Sequence, residues 1–258
     1  YVDVFRDEQA EGGVKLLAGR YMGKSIDRRL REHRLYGWVG TEWLRADLLP
    51  PDEHPLAWTT GVSWVWDTRV DWRFPFEGHS LSVAAEMGGL PAGAVGWRSG
   101  GASFALVHAV HPRVAFALGL GAGLAGGDLP SGWLRLGGSQ SLRSVSPDWV
   151  VGRSLQTGSV EARVVPFRHA NVPVIWGWWT ELEVAIALEY GALADARFVE
   201  DLEIADEPIH VLGAALEAFV GVDVLGVRPG RMGLGYARPL EATSSREPTA
   251  QRVYLTYL

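Results

Sequence analysis

From Thr180 to Gly191 the chain reads TELEVAIALEYG. Leu182, Val184, Ile186, Leu188 and Tyr190 fall on one side of a two-residue period, and Glu181, Glu183 and Glu189 on the other. A strand sends successive side chains to opposite faces, so the segment reads as a β-strand with one apolar and one polar face. The pattern recurs. In RVAFALGLGAGLAG, Val114, Phe116, Leu118, Leu120 and Leu124 alternate with Ala115, Ala117, Gly119, Gly121 and Gly123. Leu81, Val83, Ala85 and Met87 alternate with Ser80, Ser82, Ala84 and Glu86, and Met232, Leu234 and Tyr236 with Gly233, Gly235 and Ala237.

A soluble sandwich fills its core with the Leu/Val/Phe face and sends charges outward. Here the apolar faces are long and recur in strand after strand, while the other face is mostly Gly, Ala, Ser and Glu. That combination suits an antiparallel sheet closed on itself as a transmembrane β-barrel, with lipid outside and a polar lumen inside. The alternative is a Trp-rich soluble sandwich. Trp38, Trp43, Trp58, Trp64, Trp66, Trp97, Trp133, Trp176, Trp178 and Trp179 lie near expected strand ends, where membrane-interface belts form.

About twelve strands are expected, an even number as in bacterial barrels. They fall near 1–8, 14–22, 35–46, 56–68, 78–88, 93–110 (through Gly100-Gly101), 112–125, 156–168, 174–191, 209–224, 230–240 and 250–258. The expected long loops are 24–34, 47–55, 126–155, 192–208 and 241–249, and residues 1–258 read as one barrel domain. No apolar run reaches the roughly 18 residues of a transmembrane helix. The chain starts at Tyr1 without a methionine or an apolar leader, as expected of a mature or trimmed chain.

Composition narrows the chemistry. The net charge of −6, with no basic run of note, argues against a nucleic-acid partner, and zero cysteines remove disulfide and thiolate chemistry. Gly121 to Gly126 (GAGLAG) matches the dinucleotide fingerprint in form, but its glycines alternate within a strand and no helical pattern follows. His108 and His111 have no carboxylate at ligand spacing, and no G-x-S-x-G elbow exists. Neither catalysis nor a cofactor or metal is expected.

Two stretches carry more. WVWDTRVDWRFPFEG supplies Asp67, Arg69, Asp71, Pro75 and Gly78 in a D-x-R-D…P-x-x-G arrangement. LRLGGSQSLRSV supplies Gly137, Gly138, Leu142, Arg143, Ser144 and Val145, close to G-G-x-x-x-(V/L)-R-G-(F/Y). VEARVVPF, then LEYGAL with Glu189 and Gly191, then Gly233, Gly235, Tyr236, Pro239 and Leu240 follow in order. Together, from Asp67 onward, the chain resembles the C-terminal barrel of the BamA/TamA superfamily of bacterial outer-membrane assembly and translocation proteins, without the soluble POTRA repeats. It departs from the pattern at Ser144 and Val145, where the family has glycine and an aromatic, and in its strand count, since the family barrel has sixteen.

The resemblance implies that the loop folds into the lumen and that its arginine meets acids on the barrel wall. The sequence supplies such acids. With Val160, Ala162 and Val164 facing lipid, Glu161 and Arg163 turn inward, and the same count turns Glu189 inward. Arg143 is therefore expected to pair with Glu161 and Glu189, with the glycines at 119, 121 and 123 leaving room for the loop. The resemblance further implies an integral outer-membrane protein in contact with lipid. It would act in barrel-protein assembly or translocation on polypeptide substrates, or serve as a barrel subunit of a larger complex. A further alternative is the membrane anchor of a patatin-like enzyme whose catalytic domain lies outside this chain.

Overall fold

The computed structural model describes residues 2–5, 10–21, 32–44, 56–69, 77–90, 96–129, 132–137, 142–146, 149–174, 177–199, 203–224, 228–244, 246 and 252–257. Within them the chain is all-β and antiparallel. Twelve strands form one sheet in chain order: β1 (Val2–Phe5), β2 (Ala10–Tyr21), β3 (Glu32–Leu44), β4 (Leu56–Asp67), β5 (Gly78–Gly89), β6 (Gly96–His111), β7 (Val114–Gly127), β10 (Ser154–Val174), β11 (Gly177–Ala194), β13 (Ile209–Val224), β14 (Arg228–Thr243) and β15 (Arg252–Tyr257). The three missing numbers belong to a small second sheet, β12–β9–β8, made of Arg197–Phe198, Val150–Gly152 and Leu134–Arg135.

Every neighbour in the large sheet is the next strand available, so it is a meander of hairpins. The Gly100-Gly101 pair does not interrupt β6, which runs in register with β7 from Trp97 to Ala109. β10 pairs β7 across the inserted loop, from Ser154↔Leu124 to Val164↔Val114. Among the described residues the two edge strands have the shortest spans of the sheet. β1 pairs β2 over Val2–Phe5, and β15 pairs β14 over Arg252–Tyr257. No ladder between β1 and β15 occurs among the described residues.

The two faces are inverted relative to an ordinary globular protein. On β11, Ile186 and Leu188 are 60% and 55% exposed, whereas Glu183 and Glu189 are 0% and 2% exposed. Phe116, Leu120 and Leu124 of β7, Val160 and Val164 of β10, Leu212 and Leu216 of β13, and Leu234 and Tyr236 of β14 are exposed on the same face. Glu161 and Glu217 are buried on the opposite one, which is also the side the 128–153 connection packs against.

The largest apolar core lies between that connection and the wall. Leu136, Leu142, Val145 and Val150 pack against Leu193, Phe198, Ile209 and Val211. β8, β9 and β12 knit the 128–153 and 195–208 connections together above it. Strands of two or three residues carry no readable period, so these stretches read as plain loop in sequence.

The tryptophans divide in a way the expected belt does not capture. Trp58, Trp178 and Trp179 are exposed, as a belt requires. Trp38 faces the loop side and donates its indole N–H to Glu86 at 3.0 Å. Trp97 is buried with Ala57, Leu90 and Leu129, and Trp133 with Val151 and Val199. Position near a strand end does not fix which face an indole takes. The side chains of Trp43 and Trp176 lie outside the described residues.

Candidate functional site: the loop latch

The site is built from a turn and three wall strands. Leu142 to Val145 forms a tight turn closed by Val145 N–H donating to the Leu142 carbonyl at 3.2 Å. Its apolar ends, Leu142 and Val145, are fully buried in the core, which anchors the turn and leaves Arg143 reaching along the wall. Backbone conformation upstream is set by Gly137, whose φ of +136° suits glycine and whose missing side chain would meet the Val145 carbonyl at 2.8 Å. Gly138 lies outside the described residues.

Arg143 meets three carboxylates, one from each of β10, β11 and β13. Its backbone N–H donates to Glu189 Oε2 at 2.9 Å, and its Nε donates to Glu189 Oε1. Nη1 and Nη2 each donate to Glu161 Oε2 at 3.3 Å, and Nη1 also donates to Glu217 Oε2. Glu161 in turn accepts from Arg163 Nε, its neighbour on the same face of β10. Burial works against the charged guanidinium, but Glu189, Glu217 and Glu161 outweigh it and push the Arg143 pKa above its ordinary value. The planar fork of an arginine, with donors on three nitrogens, suits such a shared site; a lysine could not span it.

The structure therefore brings Arg143, Glu161 and Glu189 together and adds Glu217, which strand parity did not single out. In GAALEAFVG the alternation sets Glu217 opposite Leu216, Ala218 and Val220, but nothing in the local pattern marks it as a partner of Arg143. The register does, because Glu217 pairs Ala185, on the same face as Glu183 and Glu189.

Room for the turn comes from different glycines than the spacing suggested. A side chain at Gly191 would collide with Leu136 and with Leu142 at 2.7 Å, and one at Gly213 would collide with Ser144. Gly119 and Gly121 instead face Ser159 and Thr157 of the adjacent strand; of that glycine row only Gly123 touches the loop, through Leu134. The loop tip sits over β11 and β13, away from β7. Ser144 and Val145 are both fully buried there, so the small hydroxymethyl at 144 fits over Gly213 where a large side chain would not.

The early hairpin is a separate feature, at the β4–β5 connection, with β6 and β7 between it and β10. Arg69 donates to Asp67 through Nε at 2.9 Å, Nη2 at 2.7 Å and its backbone N–H at 3.0 Å. Gly78, with φ +119°, lets the chain pass within van der Waals reach of Arg69 Cα. Asp71 and Pro75 lie outside the described residues. Gly233 packs beneath Phe219 and Gly235 lies opposite Glu217 on β14, so these glycines serve the wall next to the latch. His108 and His111 are exposed near one end of β6, and Gly121 to Gly126 lies within β7. Among the described residues no group of three His, Asp or Glu is placed to hold a metal ion. No family model matches the chain, and no curated protein matches it.

Chemically, the cluster is a clamp. Its carboxylates are engaged as acceptors for guanidinium and amide N–H groups. Removing one partner of a buried ion cluster typically costs about 3–5 kcal/mol, because the remaining charges are left uncompensated.

Proposed function

We propose that this chain is an integral outer-membrane β-barrel whose lumen is closed by the latched 128–153 loop. In this reading β1 and β15 meet to complete a barrel of about twelve strands. The observation that carries the reading is the inversion of the sheet, with large aliphatic side chains exposed on one face and Glu161, Glu183, Glu189 and Glu217 buried on the other. Each exposed Leu, Ile or Phe gains about 1.5–3 kcal/mol on leaving water. An apolar face this continuous marks a surface that another apolar phase covers. A bilayer supplies that phase on every strand at once.

Within that reading the chain is a barrel of the assembly and translocation type, acting on or with other polypeptides and without covalent chemistry. In this reading the seam between β1 and β15 is where a partner or substrate strand could pair. The buried tip at Ser144 and Val145 favours a fixed plug and hence a subunit that works within a larger complex. Purification from outer membranes under mild detergent, with identification of co-purifying chains, tests this directly. Stoichiometric partner proteins are expected. A lone chain that accelerates insertion of other barrels into liposomes would replace the subunit role with an autonomous insertase.

A further inference from the structure

The exposed face is apolar almost throughout, yet among the described residues it holds a shallow trench of about 400 Å³ whose lining includes Gln156 and Tyr190. One row of residues crosses β5, β6, β7, β10 and β11 as Leu81, Phe104, Leu120, Gly158 and Tyr190, each paired with the next. The next row on the same face runs Ala102, Ala122, Gln156, Ala192, His210 and Thr243, from β6 to β14. Its first two members are methyl groups. Along β7 the bulky neighbours of Ala122 on this face are Leu120 and Leu124, roughly 13 Å apart along the strand. The gap between them is wide enough for a single hydrocarbon chain.

The polar end is organised. Tyr190 Oη and His210 Nδ1 are 2.8 Å apart with their rings stacked at 6.2 Å, and the His210 backbone N–H donates to Thr243 Oγ1 at 3.0 Å. Gln156 stands exposed beside them, among residues that are otherwise aliphatic on β7 and β10. A hydrocarbon trench lined at one end by the Gln156 amide and the Tyr190 phenol, with the His210 imidazole just beyond on Tyr190, matches one acyl chain with its ester and phosphate oxygens at the end.

We propose that this trench binds one phospholipid of the surrounding membrane. Its acyl chain would lie over Ala102 and Ala122, and its ester and phosphate oxygens would accept from the Gln156 amide and from the one donor that the Tyr190–His210 pair leaves free. The inference rests on the membrane-barrel reading above and adds a discrete lipid site to it. Its volume falls in the range of about 300–1,000 Å³ typical of small-molecule sites. Gly158 is what keeps the trench open beside Tyr190. A side chain there would find its nearest neighbour, Leu120 Cδ2, at 3.9 Å, so it can be filled without strain.

The test uses the whole chain reconstituted into phosphatidylethanolamine/phosphatidylglycerol vesicles, extracted in mild detergent and weighed by native mass spectrometry. The unmodified chain should retain one phospholipid through extraction. Gly158→Leu, which fills the trench, and the double variant Gln156→Leu/His210→Leu, which removes its polar end, should each lower retention at least tenfold. Ile186→Ala, on the same face but outside the trench, should retain lipid like the unmodified chain. Equal retention by Gly158→Leu and the double variant would overturn the site while leaving the barrel reading intact. A chain that does not enter the vesicles at all would overturn both.

Discussion

The wall under the loop and the wall formed by β5, β6 and β7 use the same strand geometry and reach opposite solutions. On β11 and β13 every loop-side residue from Glu183 to Leu193 and from Ile209 to Gly221 is buried. Across β5 and β6, Ala84 and Ser103 point to the same side and are exposed, and Ser82 and Ser103 meet Oγ to Oγ at 2.7 Å. The first wall is held by a buried charge cluster and an apolar core. The second is bridged by Trp38 and Glu86 between β3 and β5. Alternation alone makes a sheet; what lies against its polar face decides which part of it is buried.

The comparison can be broken most severely at Arg143. Arg143→Ala should destabilise the folded chain by about 3–5 kcal/mol, read as a lower midpoint for loss of heat-modifiable gel mobility. Charge alone does not rescue it, so Arg143→Lys should recover only part of the loss. Next come the glycines beneath the turn. Gly213→Val and Gly191→Val should each cost about 1–3 kcal/mol by forcing the tip off the wall. Gly119→Ala, which faces only the mobile hydroxyl of Ser159, should cost less than about 1 kcal/mol.

Among the acids the order is set by contacts. Glu189→Gln loses the charge that faces both the Arg143 backbone N–H and its Nε, so it should exceed Glu161→Gln, with the whole series within about 1–3 kcal/mol. Equal effects would mean the three carboxylates act as one charge reservoir. The smallest change should come from the open wall, where Trp38→Phe removes one hydrogen bond to Glu86 and should cost about 0.5–1.5 kcal/mol.

The sheet was legible where the two faces differ in chemistry. Segments such as 114–127 and 177–194 declare both their strand state and their outward side, and the all-β antiparallel class follows from them. Legibility failed where that contrast vanishes. On β13 Glu217 shares its face with Gly, Ala and Phe, so its place beside Glu189 comes only from the pairing with β11. The β8, β9 and β12 strands are set by the packing of two connections on each other, a long-range fact that no local period encodes. The conspicuous glycine row of β7 admits the loop only at Gly123, beside Leu134, whereas the isolated Gly191 and Gly213 make room for its tip. Buried Trp97 and Trp133 show the same limit, since an indole suits a core as well as an interface.

The chain has no cysteine, so single cysteines can report on each face without interference. The most direct test of the account places a fluorophore at Leu120→Cys, Ile186→Cys and Leu216→Cys on one face and at Ser103→Cys and Thr157→Cys on the other. Quenching is then measured in vesicles carrying spin-labelled lipid. The account predicts strong quenching by lipid at positions 120, 186 and 216, and quenching only by water-soluble reagents, if at all, at 103 and 157. Water-soluble quenchers reaching 120, 186 and 216 as freely as 103, with no quenching by lipid, would contradict it.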